Sequence, residues 1–132
     1  MVYNYKVGLG SVGSYQVSGK PWITGSTISD GAEHHIQFPQ VAKAVTIINT
    51  DPSGDDDIRV HFNSTGSDGR VIAGNHFITL ANARDSLTLT TKCKEIFISN
   101  PSASPSAYQV FAELTAINVN DMFVLTGSGL TD

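Results

Sequence analysis

Apolar and polar residues alternate along most of this chain in short runs separated by turn residues, the period of half-buried β-strands. His34-His35-Ile36-Gln37-Phe38 places Ile36 and Phe38 on one face, and Pro39 is expected to end the run. Val45-Thr46-Ile47-Ile48-Asn49 follows and is stopped by Asp51-Pro52-Ser53-Gly54. Ile58-Arg59-Val60-His61-Phe62 is the clearest strand, with three apolar residues facing one way and Arg59 and His61 the other. The runs 76–80, 86–90, 95–99 and 108–114 complete a set of seven, and Trp22 to Ile28 is a possible eighth. Asn118 or Asn120 is placed to cap a single helical turn through Val124. Strands at this spacing predict an all-β fold, an antiparallel β-sandwich of jelly-roll type over residues 32–132 with a short C-terminal tail.

Residues 1–31 have a different texture. They hold six of the twelve glycines, with Tyr3, Tyr5, Tyr15 and Trp22 interspersed. Glycine weakens strands through its backbone entropy, so this stretch is expected to be a Gly-rich arm, ordered against a partner or folded back along its own domain. Phe77, Phe97 and Phe111 lie on the opposite phase from the β-branched residues of their strands. With those residues in the core, the three phenylalanines face outward, as a covered or oligomeric surface requires. The competing expectation is that the arm or an unplaced strand of the same chain covers them.

Composition agrees with the pattern. Valine, isoleucine and threonine number 11, 11 and 12, against 7 leucines and 3 glutamates, and β-branched side chains suit a pleated surface. The 132 residues suffice for one domain with a real core. A net charge of −4 gives no basic footprint for nucleic acid, and the longest apolar run, Met122 to Leu125, is far short of a membrane span. The opening residues carry no apolar stretch of the signal-peptide kind, and a single cysteine excludes an intrachain disulfide.

Candidate chemistry is sparse. Gly8-Leu9-Gly10-Ser11-Val12-Gly13 spells a dinucleotide fingerprint, but no helix long enough to receive a pyrophosphate follows it. A metal site in a β-barrel sets two histidines as His-x-His so that both point inward, whereas adjacent His34 and His35 point to opposite faces. The other histidines, His61 and His76, show no ligand spacing. Asp51, Asp55, Asp56 and Asp57 offer hard oxygen donors for calcium without the alternation of a known loop, so a solvated charge run is the expected reading. Cys93, between Lys92 and Lys94, is expected to point into the core as an inert thiol. No serine sits in a nucleophile elbow, and three glutamates are too few for paired-carboxylate chemistry without turn aspartates. These residues predict no enzyme, no bound cofactor and no metal.

The runs from His76 to Leu80, from Ser86 to Leu89 and from Lys92 to Ser99 are similar to small virion proteins of tailed bacteriophages, as are 109–115, 125–130 and the opening segment 12–21. The resemblance rests on texture over most of the chain and implies a β-sandwich attached to a capsid, neck or tail, with no catalytic residues. The expected function is therefore a virion structural protein, a capsid decoration or cement protein assembled in a bacterial cytoplasm. It would bind the major capsid protein or other virion proteins, as a homo-oligomer with a trimer favoured, through Tyr3, Tyr5, Tyr15, Trp22, Phe77, Phe97 and Phe111. A neck or tail component is the nearest rival. A carbohydrate-binding, lectin-like adhesion module with exposed aromatic platforms is the alternative from another class; it requires those aromatics gathered with polar groups in one concave site.

Overall fold

The computed structural model describes residues 20–64, 75–127 and 129–130. Among these residues there are seven strands, β1 (Lys20–Ile28), β2 (Glu33–Asn49), β3 (Ile58–His61), β4 (Ile78–Leu80), β5 (Ser86–Leu89), β6 (Cys93–Ser99) and β7 (Ser106–Asn118). A 3₁₀ turn, Val119–Asp121, follows β7 and is capped by the Asn118 side chain, which accepts from the Asn120 N–H. All pairings are antiparallel, in the order β1-β7-β2-β6-β3-β4, with β5 also on β2.

The long strand β2 turns this sheet into a sandwich. Its first part, Glu33–Gln37, pairs with β6, and from Gln40 onward it pairs with β7. The switch passes through Phe38 and Pro39, which have no partner in either register, and the ladder is irregular as far as Ala44. Proline lacks an N–H, so this is the place in the strand where it costs no ladder bond. Pro39 therefore does not end the strand; it lies where β2 leaves one layer for the other. One layer holds β1, β7, the second part of β2 and β5, and the other holds the first part of β2 with β6, β3 and β4.

Between the layers lies one apolar core. Ile28, Val45, Ile47, Ile58, Ile96, Ile98, Ala112 and Leu114 are all fully buried in it. A smaller cluster of Val41, Ile117 and Met122 closes one end, and Leu125 packs against both. These are the inward phases that the alternation predicts.

Two features depart from expectation. Lys20–Ile28, part of the stretch read as an arm, pairs with Ser106–Leu114 over nine residues and buries Ile28 completely, so the optional strand is a strand of the sheet. Gly25 permits this pairing, since a Cβ there would stand 3.0 Å from the Tyr108 carbonyl oxygen. The chain then crosses between layers in a turn from Ser29 to Ala32, with Gly31 at φ +70°. Second, Phe97 does oppose Ile96 and Ile98 in phase, but it is only 8% exposed and does not face outward into solvent.

Cys93 is buried in the core, and burial pushes its thiol up to about 12. The native protein at pH 8 is expected to react with a thiol-specific disulfide reagent far more slowly than the urea-unfolded chain. Equal rates would place the thiol at the surface.

Candidate functional site

The open side of the sandwich lies between edge strand β1 and the first part of β2. No strand among the described residues pairs with β2 on this side over His34–Gln37. The gap is a cleft of about 480 Å³ lined by Trp22, Thr24, His34, Ile36 and Tyr108, with Glu33, His35 and Gln37 along its border. Register explains the gathering. Trp22 and Thr24 oppose Ala112 and Val110 on β7, and these share the inward phase of Tyr108. His34 shares the inward phase of Ile36 and Phe38 on β2.

Across the mouth, His34 Nδ1 and the Tyr108 hydroxyl are hydrogen-bonded at 2.7 Å, joining the two layers. Their rings meet edge to face, with centroids 5.6 Å apart. Burial raises the Tyr108 pKa above its ordinary value, which holds the bonded phenol in its neutral form. Trp22 packs perpendicular to Phe38 at 5.3 Å, and this anchors the half-buried indole at the cleft wall. Three aromatic rings from three strands thus converge on one concavity.

A second polar group lies on the outer side of β2, β6 and β3. His35, Phe97 and His61 are cross-strand partners in one row. Their rings stack nearly parallel, His35 on Phe97 at 4.2 Å and His61 on Phe97 at 5.9 Å. These two histidines flank the Phe97 ring. His35 Nε2–H donates to Glu95 at 2.9 Å. His61 is 2% exposed and its ring orientation is fixed: Nδ1–H donates to the Asn63 carbonyl at 2.7 Å, so Nε2 accepts from the Ser99 hydroxyl at 3.0 Å. Burial lowers the His61 pKa below 6.5; the Asn63 bond and the Glu33 carboxylate, 3.7 Å away, oppose this, while Arg59 adds to it.

The aspartate loop is a self-contained knot. Asp51, 4% exposed, accepts hydrogen bonds from the Ser53 hydroxyl and from the backbone N–H groups of Ser53, Asp55 and Asp56. Burial opposes its ionisation, but these bonds outweigh burial and hold the pKa below the usual carboxylate value. Its oxygens are occupied by the chain itself. Asp56 in turn accepts from Ser53 and Ser104. No group of three or more metal-ligating side chains occurs among the described residues. The calcium reading attached to the adhesion alternative therefore has no donor set at Asp51, Asp55, Asp56 and Asp57.

Of the residues expected at an assembly surface, Trp22, Phe77, Phe97 and Phe111 lie among the described residues. Tyr3, Tyr5 and Tyr15 lie outside the described residues. Trp22 lines the cleft, Phe97 is buried, and Phe77 lies under the Arg59 guanidinium at 4.3 Å. Phe111 is 39% exposed and stands between Ile23 and Thr46 on the outer side of the first layer. His34 and Tyr108 were not legible as site residues. The alternation sets His34 in phase with Ile36 and Phe38, but the hydroxyl that meets it lies 74 residues away.

No protein-family model and no curated protein matches the chain. Among solved structures it is similar to the Cupin_2 domain of an XRE-family transcriptional regulator from Enterobacter cloacae, with 12% identity and a TM-score of 0.49 over 71% of this chain and 81% of that one. It is also similar to a cupin superfamily protein from Desulfitobacterium hafniense DCB-2, at 11% identity and TM-score 0.45, covering 74% and 71%. A cupin domain from Bordetella pertussis Tohama I gives 14% identity and TM-score 0.43, covering 76% and 88%. The likeness concerns fold alone. These neighbours are cupin domains and not phage structural proteins, so the expectation of a virion decoration protein, and of a neck or tail component as its rival, is withdrawn.

Proposed function

We propose that the chain is a binding domain for a small molecule held in the cleft between β1, β2 and β7, and that it acts by binding and not by catalysis. The observation that carries this reading is the convergence of Trp22, His34 and Tyr108 at the open side of the sandwich. Concave sites that combine aromatic walls with a few fixed polar groups are where small ligands lose most water while keeping their hydrogen bonds. The His34–Tyr108 bond joins two layers and so presets the cleft before any ligand arrives, which lowers the ordering cost of binding. Binding without catalysis is supported by the placement of Ser99 and His61. Their hydrogen bond uses a ring that is 2% exposed, and His61 borders a separate cavity beside Phe77 and Leu89 and not this cleft.

The test uses the single tryptophan of the sequence as its reporter. A library of soluble small molecules is titrated against the full chain while Trp22 emission is followed. At least one compound is expected to give saturable quenching. His34→Ala is expected to weaken that binding about tenfold, the effect of one lost hydrogen bond and its preorganisation. Saturable binding that His34→Ala leaves unchanged, with the variant still folded, would place the ligand elsewhere.

A further inference from the structure

Resting on the cleft as the binding site, we propose that its ligand class is an uncharged planar nitrogen heterocycle, held flat among the aromatic walls and read at its edge by the polar border.

Charge comes first. Among the described residues the lining contains no lysine or arginine, so there a phosphate, sulfate or carboxylate would be desolvated with no counter-charge to receive it. The lining carboxylate, Glu33, is already engaged, accepting from the Ser64 hydroxyl at 2.8 Å and lying 3.7 Å from His61. A cationic ligand would have to compete with both of these. Neutral ligands meet neither penalty.

Shape comes second. Trp22, His34 and Tyr108 come from β1, β2 and β7, so the rings approach the cleft from both layers of the sandwich. A flat ring gains from stacking or edge contact with Trp22 and His34, which the buried Tyr108 backs, whereas a puckered ring matches one wall at a time. The edge chemistry is mixed. Thr24 brings a hydroxyl, Gln37 an amide with donor and acceptor, and His34 its Nε2 once Nδ1 is held by Tyr108. Ring nitrogens and exocyclic amino or carbonyl groups of a heterocycle alternate donor and acceptor in the same way. An all-carbon ring of similar size would leave these groups unmatched.

The experiment is isothermal titration of the full chain with adenosine, uridine, adenosine monophosphate, glucose and benzoate. At least one of the two nucleosides is expected to bind, and adenosine monophosphate to bind at least tenfold more weakly than adenosine if adenosine is the one that binds. Glucose and benzoate are expected to bind at least tenfold more weakly than the bound nucleoside. The Tyr108→Phe variant, which keeps the ring and removes the hydroxyl, is expected to weaken nucleoside binding several-fold without changing the melting profile by more than a few degrees. Tighter binding of adenosine monophosphate, glucose or benzoate, with sensitivity to His34→Ala retained, would overturn the ligand class and leave the site standing. Absence of nucleoside binding would overturn the ligand class as well. Binding of any of the five that is insensitive to His34→Ala would count against the site itself.

Discussion

Replacing Asn49 by alanine is expected to lower stability by about 3–4 kcal/mol and the melting temperature by roughly 10–20 °C. Asn49 is fully buried at the end of β2, and each polar atom of its side chain is used. Nδ2 donates to the carbonyls of Asp56 and Leu80, both at 2.9 Å, and Oδ1 accepts from the Asp51 N–H at 2.9 Å. Its backbone also bonds to Asp85 and Arg84. One residue thus ties β2 to β4, to the aspartate loop and to the turn before β5. Alanine would leave two carbonyls and one N–H without partners in a buried place, and each unmet group costs about 1–3 kcal/mol before any water enters. Asn49→Asp is expected to do at least as much damage, because it sets a carboxylate oxygen against two carbonyls. Asn82→Ala, in an exposed turn, should stay within about 0.5 kcal/mol. Urea titrations of the three variants measure these differences. A loss below about 1 kcal/mol for Asn49→Ala would mean that water replaces the bonds readily.

Acid should weaken the fold through His61 well above the range where carboxylates titrate. Burial holds the folded His61 pKa below 6.5, the value for an exposed ring. Above pH 6.5 the ring is neutral in both states and stability does not depend on it. As pH falls below 6.5 the unfolded chain takes up the proton first, so stability declines until the folded pKa is reached. The groups facing the ring are the Ser99 hydroxyl, the Asn63 carbonyl, Glu33, Arg59 and the Phe97 ring. His61→Ala removes the stack and both hydrogen bonds and is expected to cost about 2–4 kcal/mol at pH 7.5. It should also flatten the pH dependence of stability between pH 7 and 5. The Asp51 contribution appears at lower pH. It is present above about 3.8 and is lost as pH falls through the depressed folded value. Unfolding free energies at pH 7.5, 6.0 and 5.0 for wild type and His61→Ala separate the two groups. An unchanged slope in the variant would remove His61 from the account.

The alternation of apolar residues made the strands legible but said little about what joins them. Each of the seven expected runs is a strand or part of one, because period-two burial is a local property. The runs at 34–38 and 45–49 proved to be a single strand, since Pro39 stands where the pairing partner changes and no ladder N–H is needed. Cys93 and the cap at Asn118 follow from local chemistry and were readable. The phase of Phe97 was readable, but its ring partners were not. Stacking on His35 and His61 depends on cross-strand register between strands far apart in sequence. Trp22 was visible as an anchor, yet its glycine-rich surroundings suggested an arm, and only pairing with β7 places it at a cleft. The buried asparagines Asn49 and Asn100 were hidden for a similar reason. An asparagine next to a turn usually signals only the turn, whereas Asn100 also holds the carbonyls of Ile28 and Ser104.

A small molecule bound in the cleft between β1, β2 and β7 would report through the residues that line it. The most direct measurement is nuclear magnetic resonance of the isotope-labelled full chain, recording amide and Trp22 indole N–H signals while adenosine or a compound that quenches Trp22 emission is added. Saturable shifts are expected, concentrated at the Trp22 indole and at Thr24, His34, Ile36 and Tyr108, with the outer row of Ile23 and Phe111 unmoved. Shifts centred on Ile23 and Phe111, or none at these cleft residues while binding is demonstrable by calorimetry, would contradict binding in the cleft.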